Sequence, residues 1–218
     1  MDYIFHLQYR FHTPDPSAGG RGWLLRLLAK TSTLYHAALS LSALHQYGLL
    51  GHNGGEEYTK LMGYHTQALE DLQRFIKRIQ EGDNLDDIGQ QIAVLSCGVM
   101  LISFELFCGG CSDWRLHLDA LVLIPAVVDA QRIIRIASGH GPPDPLVAGR
   151  EGVFTKCERA AFLFLLPTLL WFDLLSCIST GETPRMPYRM LLESDRIELE
   201  SITGCQNWVW LQLETSQS

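Results

Sequence analysis

The chain has 218 residues, of which 47% are hydrophobic and only 19% charged, and its formal net charge is −7. That length can bury a core without help from disulfides. The acidic balance argues against unaided affinity for nucleic acid, which depends on Lys and Arg displacing counterions from phosphates. A charged fraction below the ~25% usual for soluble domains leaves surface for a partner or for further helices to cover.

The opening residues Tyr3, Phe5, Leu7, Tyr9 and Phe11 alternate with polar ones, a strand pattern. No partner strand is evident elsewhere, so a short helix followed by an extended arm is expected instead. Helical periodicity then dominates. Tyr58, Leu61, Met62, His65, Leu69, Leu72, Ile76 and Ile79 follow three- and four-residue steps, with Glu70, Asp71, Gln73, Arg74, Lys77 and Arg78 on the other side, predicting an amphipathic helix that ends at Gly82-Asp83-Asn84. The next helix is expected to start near Asp86 or Asp87, whose carboxylates suit an N-terminus, and to stop at Gly109-Gly110 after Phe107. Ser112 or Asp113 would cap a further helix starting at Trp114, which Pro125 kinks or breaks. The strongest loop signal, Gly139-His140-Gly141-Pro142-Pro143-Asp144-Pro145, marks an internal loop boundary over 139–149. A second loop, Gly181-Glu182-Thr183-Pro184-Arg185-Met186-Pro187, separates a buried helix over Phe162 to Ile178 from the final segment. Both loops are expected to be surface connections within one domain over 1–218.

Two apolar runs raise the question of membrane insertion. Ala160 to Phe172 is almost wholly apolar, but Arg159 and Asp173 bracket only thirteen residues, short of the about 20 a span needs. Extending the run to Ile178 would carry Asp173 into the bilayer at a cost of roughly 2.5–3.5 kcal/mol. Ile92 to Phe104 is equally short, so both runs read as helices buried on nearly all sides of an all-α core.

Chemistry is sparsely signalled. The cysteines lie at 97, 108, 111, 157, 177 and 205, and no basic segment followed by an apolar run opens the sequence, so a reducing compartment and mostly buried thiols are expected. Cys108-Gly109-Gly110-Cys111 is a C-x-x-C, but neither a second such pair nor the βαβ surroundings of a redox motif accompany it; two cysteines flanking a helix stop are expected. The eight histidines lack the i, i+4 spacing that aims two rings at one metal. His117 lies three residues after Trp114 and four before Leu121, which places it on the apolar face of its helix as a core or cavity histidine. Nucleophile-elbow, phosphate-loop and dinucleotide motifs are absent from the sequence. Asp83, Asp86 and Asp87 form one acidic cluster where an isoprenoid-type enzyme would need two facing each other around Mg²⁺.

Several landmarks occur in an order that resembles a known family. Gly19-Gly20-Arg21-Gly22-Trp23-Leu24-Leu25, then Leu34-Tyr35-His36-Ala37-Ala38-Leu39, Trp114-Arg115-Leu116-His117-Leu118-Asp119-Ala120, Trp171-Phe172-Asp173, Thr180-Gly181-Glu182-Thr183-Pro184 and Ile202-Thr203-Gly204-Cys205-Gln206-Asn207-Trp208 are similar to the regulatory, or middle homology, domain of fungal zinc-cluster (Zn2Cys6) transcription factors. The resemblance covers most of the chain and rests on order and spacing. It implies an all-α, single irregular multi-helix domain in the nucleus, truncated at its C-terminus because relatives continue through further helices. Its function would be to modulate transcription by RNA polymerase II indirectly, through a small-molecule effector or through a protein partner such as a related transcription factor or co-regulator. The two C-x2-C-x6-C runs that hold zinc in the family are absent from this sequence. No catalytic, metal-binding or DNA-binding residue is therefore expected here, and zinc only in a cluster upstream. Trp23, Trp114, His117, Gly204 and Trp208 occupy motif positions expected to be structural rather than contacting. A membrane-associated helical protein, which would pellet with lipid, and an all-α isoprenoid-type enzyme, which would turn over a prenyl diphosphate with Mg²⁺, are the alternatives.

Overall fold

A computed structural model of the chain describes residues 22–49, 55–81, 88–109, 114–124, 134, 155–194 and 197–215. All regular structure among them is helical, as the all-α expectation requires. The opening 3–11 segment, the 82–84 stop, Asp86 and Asp87, Ser112 and Asp113, and the 139–149 boundary lie outside the described residues. The chain divides into two compact units, one over Leu24–Ile124 and one including Pro125–Ser218.

In the first unit α1 (Gly22–Lys30) passes through Thr31 into α2 (Ser32–Leu49), followed by α3 (Gly55–Gln80), α4 (Ile88–Phe107) and α5 (Arg115–Leu121). The helices α2, α3 and α4 pack against one another, and α5 lies on α4. The buried row of α3 is Leu61, His65, Ala68, Leu72 and Phe75, a stripe rotated from the predicted one so that Tyr58 is exposed and Ala68 and Phe75 go inside. The helix α4 is the centre of the unit, with every residue from Gln91 to Glu105 buried. Its serines do not leave open polar groups in that setting: Ser96 donates to the Ile92 carbonyl and Ser103 to the Val99 carbonyl, both at 2.8 Å.

Gly98 of α4 is where α5 comes closest. A Cβ at that position would lie 2.7 Å from Leu121 Cγ and 2.6 Å from its Cδ1, closer than carbon atoms approach, and Leu121 is itself fully buried. The helix α5 begins one residue later than predicted. Trp114 is its N-cap, in helical conformation (φ −59°, ψ −17°) and without a side-chain cap bond. After Leu121 the chain tightens through Leu123 and Ile124, whose amides donate to Ala120 and Leu121, and the division between the units falls at Pro125, where the sequence predicts a kink or break.

The second unit contains α6 (Lys156–Thr180), α7 (Tyr188–Glu193), α8 (Glu200–Thr203) and α9 (Asn207–Thr215), with α6 against α8 and α7 against α9. The helix α6 starts earlier than its apolar run because Thr155 and Glu158 form a reciprocal capping box: Thr155 Oγ1 accepts the Glu158 amide at 3.2 Å, and the Thr155 amide donates to Glu158 Oε2 at 2.9 Å. It ends at Gly181, whose left-handed backbone (φ 74°) returns its amide to the Cys177 carbonyl at 2.8 Å.

Two sequence expectations need correction. The apolar runs belong to helices of 20 and 25 residues, so by length and composition both α4 and α6 could cross a membrane. In their most apolar stretches, however, 83% and 72% of the residues are buried within the protein, as core helices require. The thiols are also not uniformly inside. Cys97 and Cys177 are buried, but Cys108 and Cys205 are exposed because both stand just beyond helix ends. Among the described residues no disulfide forms, and Cys111 lies outside them.

Candidate functional site

The buried charges mark the places where these helices do more than pack. Glu105 closes the buried run of α4, and opposite it α3 presents His65; both side chains are almost fully buried, with His65 Nε2 3.0 Å from Glu105 Oε1. Packing holds the pair in place, with the His65 ring stacked on Phe104 at 4.2 Å. Burial pushes the His65 pKa below its ordinary value of 6.5, outweighing the opposing pull of Glu105. At the other edge of α3, Asp71 lies 3.5 Å from His36 of α2 and pairs with Arg74 one turn along.

In the second unit the polar residue in the apolar helix is Asp173 of α6, with no solvent exposure at all. Its Oδ2 accepts the Met186 amide at 2.8 Å, and its Oδ1 lies 3.5 Å from Arg185 Nη1, which also reaches Ser176 Oγ at 3.4 Å. The loop 181–187 is thereby latched across the last turns of α6. Burial raises the Asp173 pKa, and the Met186 amide and the Arg185 guanidinium oppose that shift. Beside it, burial and the Asp173 charge push the Cys177 thiol up to about 11, which keeps it protonated and unreactive.

A second fastening follows in the Gly204 landmark. Gly204 takes a left-handed backbone (φ 72°) to end α8, and the Thr203 hydroxyl accepts the Cys205 amide at 3.1 Å. Asn207 then joins three segments. Its Oδ1 accepts the Leu199 amide at 3.0 Å, while its Nδ2 donates to the carbonyls of Leu192 at 3.2 Å and Ile197 at 2.7 Å.

The five motif residues are spread among these features. Trp23 is the second residue of α1. Trp114 and His117 flank the first turn of α5, where the His117 amide donates to the Trp114 carbonyl at 3.1 Å; both are half-buried, and the deep positions of that helix are Leu118 and Leu121. Gly204 shapes the turn before α9, and Trp208 stands 56% exposed in its first turn, with Nε1 donating to Gln206 Oε1 at 2.7 Å. The organising polar residues, His65, Glu105, Asp173, Arg185 and Asn207, were not singled out by sequence reasoning. A signal for two of them was present, because a carboxylate inside an otherwise apolar helix must have a partner. Among the described residues no group of three or more His, Cys, Asp or Glu side chains could hold a metal ion.

Residues 1–214 match the fungal specific transcription factor domain. The chain belongs to this family. Among curated relatives, the fungal specific transcription factor domain here is 32% identical to the trichothecene biosynthesis transcription regulator of Trichoderma arundinaceum, covering 98% of this chain and 54% of that protein. It is 29% identical to the pestheic acid cluster transcriptional regulator 3 of Pestalotiopsis fici, over 98% of this chain and 40% of the relative. It is also 29% identical to the transcription factor ntnD of a Nectria species, over 95% and 32%. The chain thus spans about half or less of the length of these relatives. No solved structure matches it.

Proposed function

We propose that this chain is the regulatory domain of a fungal zinc-cluster transcription factor acting in the nucleus on genes of secondary metabolism. It would modulate transcription by RNA polymerase II without touching DNA, through a small-molecule effector or contacts with a related transcription factor or co-regulator, and without catalysing a reaction. The observation that carries this reading is the family match over 1–214, shared with relatives that are named as transcription regulators. The net charge of −7 supports the separation from DNA, since a domain without excess cations gains little from counterion release. Any zinc would be held by a cluster outside these residues. A regulatory domain of this kind works by having two packings to which an effector or partner binds unequally.

The test joins the chain to an unrelated DNA-binding domain in a filamentous fungus carrying a reporter gene with the matching site. A change in reporter transcription relative to the DNA-binding domain alone is expected, with the fusion concentrated in nuclei and co-purifying with a transcription factor or co-regulator. An unchanged reporter overturns the reading. Recovery of the chain only with detergent from the lipid fraction, or Mg²⁺-dependent turnover of a prenyl diphosphate, would replace it with one of the alternatives.

A further inference from the structure

The loop latched by Asp173 contains the dipeptide Thr183-Pro184, with Thr183 exposed and Pro184 half-buried. Gly181, Glu182 and Thr183 are all exposed, and residues 181–184 have no regular structure. The proline ring biases the residue before it toward extended backbone, the form in which a protein kinase takes up a substrate segment. Most hydroxyls on the helices are tied back to carbonyls three or four residues earlier, as at Ser40, Ser96, Ser103, Thr168, Ser179 and Thr180. Thr183 lies outside that pattern, beyond the end of α6.

The same loop explains why a phosphate there would matter. Two residues on, Arg185 holds the latch with long contacts, 3.5 Å to Asp173 Oδ1, 3.4 Å to Ser176 Oγ and 3.9 Å from Nη2 to Glu182 Oε2. A phosphate carries about −1.5 to −2 charge and three strong acceptor oxygens, so it competes well for a guanidinium within reach of its own segment. It would also repel the neighbouring Glu182 carboxylate, freeing the second Arg185 nitrogen. Asp173, fully buried, would then keep only backbone amides of the loop, those of Arg185 and Met186.

We infer that Thr183 is a phosphoacceptor for a proline-directed Ser/Thr kinase, and that its phosphate draws Arg185 from Asp173 and loosens the 181–187 loop on α6. In the transfer, Thr183 Oγ1 bonds to the γ-phosphorus of ATP, the bond from that phosphorus to the β,γ-bridging oxygen breaks, ADP leaves, and the hydroxyl proton passes to the kinase's base. This regulation does not depend on the transcriptional reading, because its measurements are made on the purified chain.

The experiment incubates the chain with a kinase of the mitogen-activated class and ATP, maps the phosphate by mass spectrometry, and follows amide hydrogen exchange at Met186. Phosphate on Thr183 is expected, with Met186 exchanging about tenfold faster, the equivalent of losing one charge-assisted contact. Thr183→Val should take no phosphate at this site and leave exchange unchanged. Arg185→Gln should exchange fast at Met186 before any kinase is added and gain less than twofold afterwards. Arg185→Lys, which keeps the charge, should exchange slowly at Met186 before the kinase and faster after it, and gives the second reading if the first variant does not fold. Phosphate on Thr13 alone, in the chain's other Thr-Pro dipeptide, overturns the inference. So does failure to modify Thr183 when a free Gly-Glu-Thr-Pro-Arg-Met peptide is modified, or modification with Met186 exchange unchanged.

Discussion

Asn207 satisfies three backbone groups from segments that do not neighbour it in sequence, so its removal leaves an amide and two carbonyls short of partners at once. Asn207→Ala should lower stability by about 2–4 kcal/mol, read as an earlier midpoint in urea at unchanged slope. Asn207→Asp should be at least as harmful, because it keeps the acceptor and points a carboxylate at two carbonyl oxygens. His65 supplies a pH signature. Its pKa is depressed in the folded chain, so the folded state binds fewer protons than the unfolded one below pH 6.5. The stability tied to the neutral ring is present above that value and is lost as pH falls through the depressed pKa. The thermal midpoint should therefore fall on acidification below about pH 6.5, and His65→Gln should flatten that slope. Asp173 acts with the opposite sign. Its raised pKa makes the folded state the better proton binder, so its contribution is full below 3.8 and lost as pH rises through the raised value. Comparing His65→Gln with the parent at each pH cancels that background. Neither pair was legible as a pair in the sequence, because the partners are 40 and 12 residues apart and only the fold aligns them.

At the scale of the element, helices were legible where one face alone is apolar and obscured where the whole circumference is. The order along α3 came through, displaced by part of a turn, since Ala68 gives a weak periodic signal yet occupies the deepest row. The apolar runs of α4 and α6 hid the true ends of those helices. The capping box at Thr155 and Glu158 starts α6 upstream of its apolar run, and such caps are polar features that hydropathy does not register. Thr155→Ala should cost about 1 kcal/mol and fray the first turn, seen as faster exchange of the Glu158 amide. Gly98 shows the converse, a residue that looks like a weak point in a helix and is a contact. Alanine would add about 1 kcal/mol of helix propensity. It would also place a methyl group inside the van der Waals shell of a buried leucine, costing typically 1–3 kcal/mol. Gly98→Ala should be net destabilising, and pairing it with Leu121→Val should recover part of the loss in chemical denaturation.

For the molecule as a whole, the family landmarks carried more than composition did. Their order identified an all-α regulatory domain over nearly the full chain, while the division at Pro125 was foreshadowed only as a helix break. Landmark order reports ancestry, whereas the division depends on which helices exchange contacts, and no local pattern encodes that. A charge of −7 gives a direct test at this scale: the purified chain should not retard duplex DNA on a gel even in low salt, where nonspecific attraction is strongest. The fully buried α4 also has a consequence for synthesis. A helix apolar on every side is hazardous while a chain is being made, because it is exposed from the moment it leaves the ribosome. Here two of the three helices packed on it, α2 and α3, precede it in sequence, and only α5 follows. Most of the surface that receives α4 has therefore already emerged when α4 appears, and the order of translation shortens the interval in which a chaperone must shield it.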